Sequence, residues 1–312
     1  MPVGTDAFNT FEDLSGVSEK PTTTESLNPY NKLIGACKNA EEMQKAYETH
    51  RTNRNKQQAE KMLSKDFTGV IVDKTLQELE YARGNKGIIQ LAGKPVQDLQ
   101  EVDPRVCLVL WIRPTQQIKD LVKTIQERLI DLAPDFWCMP RDKLHLTALE
   151  LSHSKPYGEI NNSISLLRPH LPSILSLQTK PQHRNVLVKP RLSFDAAALA
   201  ISFVPAGDCE YSCQHLRRDL HNLVAASGME INSRYALPSA HITVGRFITG
   251  RNHYPAEGGV SMEKWIGRIG EINDWLENVE VRWTVGEEAG MVCRAGRLWY
   301  GDGETVMVGE AF

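Results

Sequence analysis

The sequence predicts an α+β fold with mixed or antiparallel sheets, and three features predict it. Short strand-like runs alternate with amphipathic helices in the order β-α-β-α-β-β-α-β-α-β. Two of the runs, near 186–194 and 197–204, are separated by a turn too short for a crossover helix. A strand–helix–strand pattern occurs at 106–151 and again at 197–247, which suggests two pseudo-equivalent lobes. With 312 residues, 41% of them hydrophobic, the chain can form two domains, or one bilobal domain with an extension.

Residues 1–30 are rich in Thr, Ser, Asn, Asp, Glu and Pro without apolar periodicity and read as a flexible tail. Residues 31–103 read as a mainly helical N-terminal extension. Asn39 is the candidate N-cap of a helix over about 39–65, with Glu41 and Glu42 in its first turn. Its apolar positions make only a thin stripe, so it should lean on something larger. A second short helix is expected near 74–83, ended by Gly84-Asn85-Lys86-Gly87.

Residues 104–312 carry the stronger signals. Val106–Ile112 is an unbroken apolar run, as in a buried central strand. Ile118, Leu121, Val122, Ile125, Leu129 and Leu132 recur at three and four, which predicts a helix over 115–132. Residues 143–151 alternate as a strand with His145 and Thr147 on one face. A helix near 159–177, broken by Pro169 and Pro172, precedes the strand pair at 186–204. A helix over 210–227 follows, with Gly228 at its C′ position, and then the alternating strand Ala240–Phe247. A helix over 261–277 and strands near 279–287, 291–300 and 305–309 complete the chain.

The net charge is −3, and no lysine–arginine block tracks a long polyanion, which argues against a long-duplex nucleic-acid partner. No run of 18 apolar residues and no leader-like start is present, so neither a membrane partner nor secretion is expected, and a cytoplasmic or nuclear location is the default. Of six cysteines only Cys209 and Cys213 are close, and His215 alone does not complete a zinc set, so no metal and no cofactor are expected. The sequence does not specify protein partners.

The chemistry-bearing feature is a pair of tetrapeptides, His145-Leu146-Thr147-Ala148 and His241-Ile242-Thr243-Val244, 96 residues apart. A chance pair of this pattern arises on the order of once in a hundred such sequences. Each places a histidine and a threonine on the same face of a strand, above apolar residues. Cleaving a phosphodiester near neutral pH needs one group to take a proton and another to give one, and two histidines supply both. The threonine hydroxyls can hydrogen-bond the non-bridging oxygens, and no metal is required.

The paired motifs resemble those of the 2H phosphoesterase superfamily, which includes RNA 2′,3′-cyclic phosphodiesterases, also called 2′-5′ RNA ligases. Asp142-Lys143-Leu144-His145-Leu146-Thr147 is similar to the family's approach to its first histidine, and His241-Ile242-Thr243-Val244-Gly245-Arg246 to its second. The likeness spans about residues 104–312 and leaves the N-terminal extension without a counterpart in the compact bacterial members. It implies a bilobal fold with two antiparallel sheets around a V-shaped groove, His145 and Thr147 from one lobe, and His241 and Thr243 from the other. The implied activity is metal-independent hydrolysis of a 2′,3′-cyclic nucleotide or an RNA-end phosphodiester. Alternatives are a catalytically silent nucleotide- or RNA-binding module and a phosphodiesterase for a non-RNA metabolite.

Four further residues are candidate substrate binders. Arg246 matches the RNA branch of the family, yet five is an odd offset from His241, so simple pleating turns it to the opposite face unless a bulge intervenes near Gly245. Tyr235 and Trp137 lie in the approaches to the two motifs and could stack a base. His153 continues the first motif strand towards the groove rim.

Overall fold

The computed structural model describes residues 12–17, 28–84, 89–91, 94–96, 103–231, 236–253 and 259–312. The chain is α+β, as its periodicities predict. In the extension, α1 spans Asn31–Ala36, α2 Ala40–Met62 and α3 Lys74–Gly84, followed by a small hairpin of β1 (Ile89–Leu91) and β2 (Lys94–Val96). Then come β3 (Val106–Ile112), α4 (Gln116–Ile130), β4 (Phe136–Cys138), β5 (Leu146–Lys155), α5 (Tyr157–Leu167) and α6 (Leu171–Leu175). Strands β6 (Val186–Phe194) and β7 (Ala198–Pro205) precede α7 (Cys213–Ala226), β8 (Ala240–Phe247) and α8 (Met262–Glu277). Strands β9 (Arg282–Thr284), β10 (Val292–Gly296) and β11 (Glu304–Val308) close the order.

The helix ends follow local chemistry. The Asn39 side chain accepts the Glu42 N–H at 2.9 Å, so the predicted cap of α2 forms. Gly228 takes a φ of +82° after α7, the left-handed geometry that terminates a helix most cheaply with glycine. On α4 the predicted stripe is buried at Ile118, Leu121, Val122, Ile125 and Leu129. Each such side chain contributes about 1.5–3 kcal/mol by leaving water, enough to fix the helix on the sheet.

All pairings among β3–β11 are antiparallel and join them into one nine-stranded sheet, in the order β11-β10-β3-β5-β8-β7-β6-β9 with β4 beside β8. This departs from the expected two sheets. The two motif strands meet edge to edge, with one residue pair in register, Leu146 with Ile242, and that contact makes the halves continuous. Four strands lie on one side of it and five, counting β4, on the other, so the strand–helix–strand repeat survives as two halves of one sheet.

The strand β3 explains its own unbroken apolar run. Val106, Leu108, Leu110 and Ile112 point into the main core, while Cys107, Val109 and Trp111 form a smaller cluster with Leu298 on the opposite face. Helix α2 lies against β7 and buries Met43, Ala46, Tyr47 and Met62, so the extension shares the main core. Its thin stripe suffices because the helix covers a sheet already backed by a core on its other face.

Candidate active site

The register of the two motif strands builds the site. Leu146 pairs with Ile242, and both are fully buried beneath the sheet. One residue to either side in an antiparallel pair, Thr147 stands opposite His241 and His145 opposite Thr243. The four side chains therefore emerge on one face as a compact quartet with a local two-fold relation. All four line one cavity of about 110 Å³, together with Trp111, Arg217, Glu150 and Arg246.

Each histidine is held from two residues before it. His145 Nδ1 lies 2.8 Å from the Lys143 carbonyl oxygen, so Nδ1–H donates and the Nε2 lone pair is left free. His241 Nδ1 lies 3.0 Å from the Ser239 hydroxyl, which can donate to it and leave the proton on Nε2. The His145 ring stacks on Trp111 at 3.7 Å between centroids and 15° between planes, which removes its rotational freedom. Among the described residues neither the Thr147 nor the Thr243 hydroxyl is bonded within the protein.

The surroundings of both rings favour the neutral imidazole. Burial pushes His145 down to about 3, with Arg113, His241 and Arg294 adding repulsion against the Lys143 carbonyl's opposing effect. Burial likewise pushes His241 down to about 4, reinforced by Arg217 and Arg246. A bound anion would reverse these repulsions.

Two β-bulges set the rest of the lining. Against β7, Thr243 pairs with Ala200 and Gly245 with Leu199, so Val244 is the extra residue on β8. That bulge returns Arg246 to the face of His241 and Thr243, and Arg246 lines the cavity. Gly245 is required beside it: a Cβ there would collide with the Phe136 ring and the Trp137 carbonyl. Against β3, Thr147 pairs with Trp111 and Leu149 with Leu110, so Ala148 is the matching extra residue on β5. It turns Glu150 into the cavity, five residues after its histidine, as Arg246 is.

Arg217, on α7, ties the halves together. It is buried, and its guanidinium donates to the Ala148 carbonyl at 3.1 Å, the Thr147 carbonyl at 3.2 Å and the Leu237 carbonyl at 3.4 Å. It thus holds the first bulge and the approach to the second motif. No carboxylate among the described residues pairs with it, and the carbonyls that hold it keep this cation in the lining of the cavity. Arg246 is steadied by Asp73 at 3.6 Å and by the rings of Trp299 and Tyr300. Two guanidiniums, two imidazoles and two hydroxyls around one small cavity suit a phosphate-sized anion undergoing proton transfer.

Two of the remaining candidates sit elsewhere. Trp137 lies in β4, buried edge-to-face against Tyr300 at 6.2 Å, because β4 pairs with β8 and turns the indole into the core. It is structural and does not reach the cavity. His153 bonds Glu150 at 3.1 Å and lies near Cys107 and Trp299, behind the lining, because further register shifts between β3 and β5 displace it from the row of His145. Tyr235 lies outside the described residues. Sequence reading missed Glu150, Arg217, Ser239 and the Trp111 stack; for Glu150 the signal was its five-residue offset, shared with Arg246.

Among the described residues, no helix is long and apolar enough to cross a membrane, and no cluster of three His, Cys, Asp or Glu residues is placed to hold a metal ion. No family model matches the chain, and no curated protein matches it. Among solved structures, it is similar to a conserved protein of unknown function from Agrobacterium tumefaciens str. C58, at 13% identity and a TM-score of 0.44, over 65% of this chain and 85% of that one.

Proposed function

We propose that the protein is a phosphodiesterase that hydrolyses a 2′,3′-cyclic nucleotide or an RNA-end phosphodiester by two-histidine acid–base catalysis, as in the 2H phosphoesterase superfamily. On this view the two halves of the sheet correspond to the two lobes of that fold, and the cavity lies in the groove between them. The observation that carries the proposal is the cross-strand quartet, in which each histidine faces the other motif's threonine.

The bonding of the rings suggests their roles. His145, with Nδ1–H given to a carbonyl, offers Nε2 as the base that takes a proton from the attacking water. His241, with Nδ1 beside Ser239, presents Nε2–H to the departing ribose oxygen. The phosphate's negative charge would favour the protonated imidazole needed for that step. Thr147, Thr243, Arg246 and Arg217 supply donors for the oxygens on phosphorus as charge builds.

The test is hydrolysis of 2′,3′-cyclic nucleotides in EDTA by the wild type, His145→Ala and His241→Ala. Losing either acid or base should cost about 10²–10⁴ in rate. Near-full activity in either variant refutes the two-histidine mechanism, and nucleotide binding without turnover by the wild type would instead identify a silent binding module.

A further inference from the structure

A second cavity, of about 240 Å³, adjoins the first across His241, Thr243, Arg246 and Trp299. Its floor is the groove face of β7, where Ala198, Ala200 and Ser202 are too small to fill the space. Its roof is α2, which presents Tyr47 and Arg51. The extension therefore turns a shallow sheet surface into a chamber opening on one side of the histidine pair only.

Arg51 has the properties of an anion receptor. Its Nη1 donates to the Lys189 carbonyl at 2.6 Å and the Ser202 carbonyl at 3.4 Å, and its buried Nε has no partner. Among the described residues no carboxylate pairs with it; the neighbouring Arg191 pairs with Glu277 instead. Burial, and then Arg191, push Arg51 down to about 10 against the attraction of Glu48, so an anion at this place would relieve a buried cation that has no ion-pair partner among the described residues. Ser202 stands directly opposite His241 in the β7–β8 pair, which sets Arg51 one strand beyond the second histidine.

We infer that the chamber beneath α2 receives the substituent on the His241 side of the scissile phosphate, and that Arg51 there binds a second phosphate carried by that substituent. The inference rests on the phosphodiesterase reading of the quartet and sharpens it: the preferred substrate is an acyclic or oligonucleotide phosphodiester bearing a further phosphate, in preference to an isolated cyclic mononucleotide. A cyclic mononucleotide places both ester oxygens on one sugar and needs only one chamber.

The test compares kcat/KM for an RNA dinucleotide with and without a terminal phosphate, placed at the 5′ end in one series and the 3′ end in the other. The wild type should prefer one phosphorylated form by about tenfold or more, the scale of a charged hydrogen bond. Arg51→Gln should bring that ratio towards one, while Arg51→Lys keeps part of it. If Arg51 only anchored α2, both substrates would slow together and the ratio would survive. A wild-type ratio near one, or a ratio unchanged in Arg51→Gln, overturns the inference. If no phosphodiester is turned over, the proposed function fails and calorimetry still decides the chamber: the wild type should bind adenosine 3′,5′-bisphosphate about tenfold tighter than adenosine 5′-monophosphate, and Arg51→Gln should not. Equal affinities in the wild type, or no binding of either, overturn it.

Discussion

Replacing Gly245 by alanine probes the frame of the site without touching its chemistry. The new Cβ would run into the Phe136 ring and the Trp137 carbonyl. Neither yields easily, because Cys138 pairs with Gly245, and the Val244 carbonyl accepts from Met139 N–H at 2.9 Å and Gln126 Nε2 at 3.0 Å. Overpacking against fixed backbone costs about 3 kcal/mol, the upper part of the usual range. An unfolding entropy of about 2.1 cal/mol/K per residue, over 312 residues, is about 0.65 kcal/mol/K, so Tm should fall by roughly 4–5 °C. Arg246 is the next residue, so kcat/KM should fall with it. Gly267 is the control: it lies on the exposed face of α8, where an added Cβ meets nothing within 4 Å. Gly267→Ala should gain about 1 kcal/mol and raise Tm by roughly 1–2 °C. Differential scanning calorimetry with parallel kinetics reads both. A Gly245→Ala melting point within a degree of wild type would refute the tight contact between β4 and the bulge.

Arg217→Met should lower kcat/KM by about tenfold or more and destabilise the fold, because three main-chain carbonyls lose their donor; rescue by Arg217→Lys should be poor, since one ammonium cannot span all three. In the pH profile of kcat/KM, an acid histidine at about 4 in the free enzyme predicts a decline of up to tenfold per unit as pH rises through 5–7, and Arg246→Gln, by removing a repulsion, should move that limb to higher pH. Stability should rise with pH between about 4 and 6.5: His145, His241 and His253 titrate lower folded than unfolded, so the unfolded chain takes up protons first as pH falls through that window. Urea midpoints at pH 5 and 7.5 measure the slope, and His145→Asn/His241→Asn should flatten it. Trp111→Ala should cost more activity than Trp111→Phe, because the phenyl ring keeps a stacking face for His145.

Where a side chain's position depended on the period of one element, the sequence was sufficient. The α4 stripe, the Asn39 cap, Gly228 and the shared face of His145 and Thr147 all follow from spacing alone. Where it depended on a change of period, spacing misled. Strict alternation turns Arg246 away from His241, and only the bulge at Val244, set by contacts from β4 and β7, turns it back. Trp137, read from the sequence as a stacking candidate in the approach to the first motif, sits in a strand of three residues, too few to show a strand's period, and pairing with β8 decides its place. The single sheet was illegible for a similar reason: it depends on one cross-strand pair between residues 96 apart.

The two bulges also give the site a direction. A perfectly two-fold quartet could not distinguish the two ester oxygens of a phosphodiester, since each histidine would see the same neighbours. Here the residue five beyond each histidine lines the cavity, and it is Glu150 on one strand and Arg246 on the other. The acid engages His153, and the base, steadied by Asp73, stands beside His241, next to the chamber roofed by α2. A symmetric scaffold thus presents opposite charges at equivalent places, and the extension closes only the cationic side. On the proposed function, a substrate with a second negative charge would be held in one orientation, with its more anionic substituent towards His241, and that polarity would set the division of labour between the two histidines.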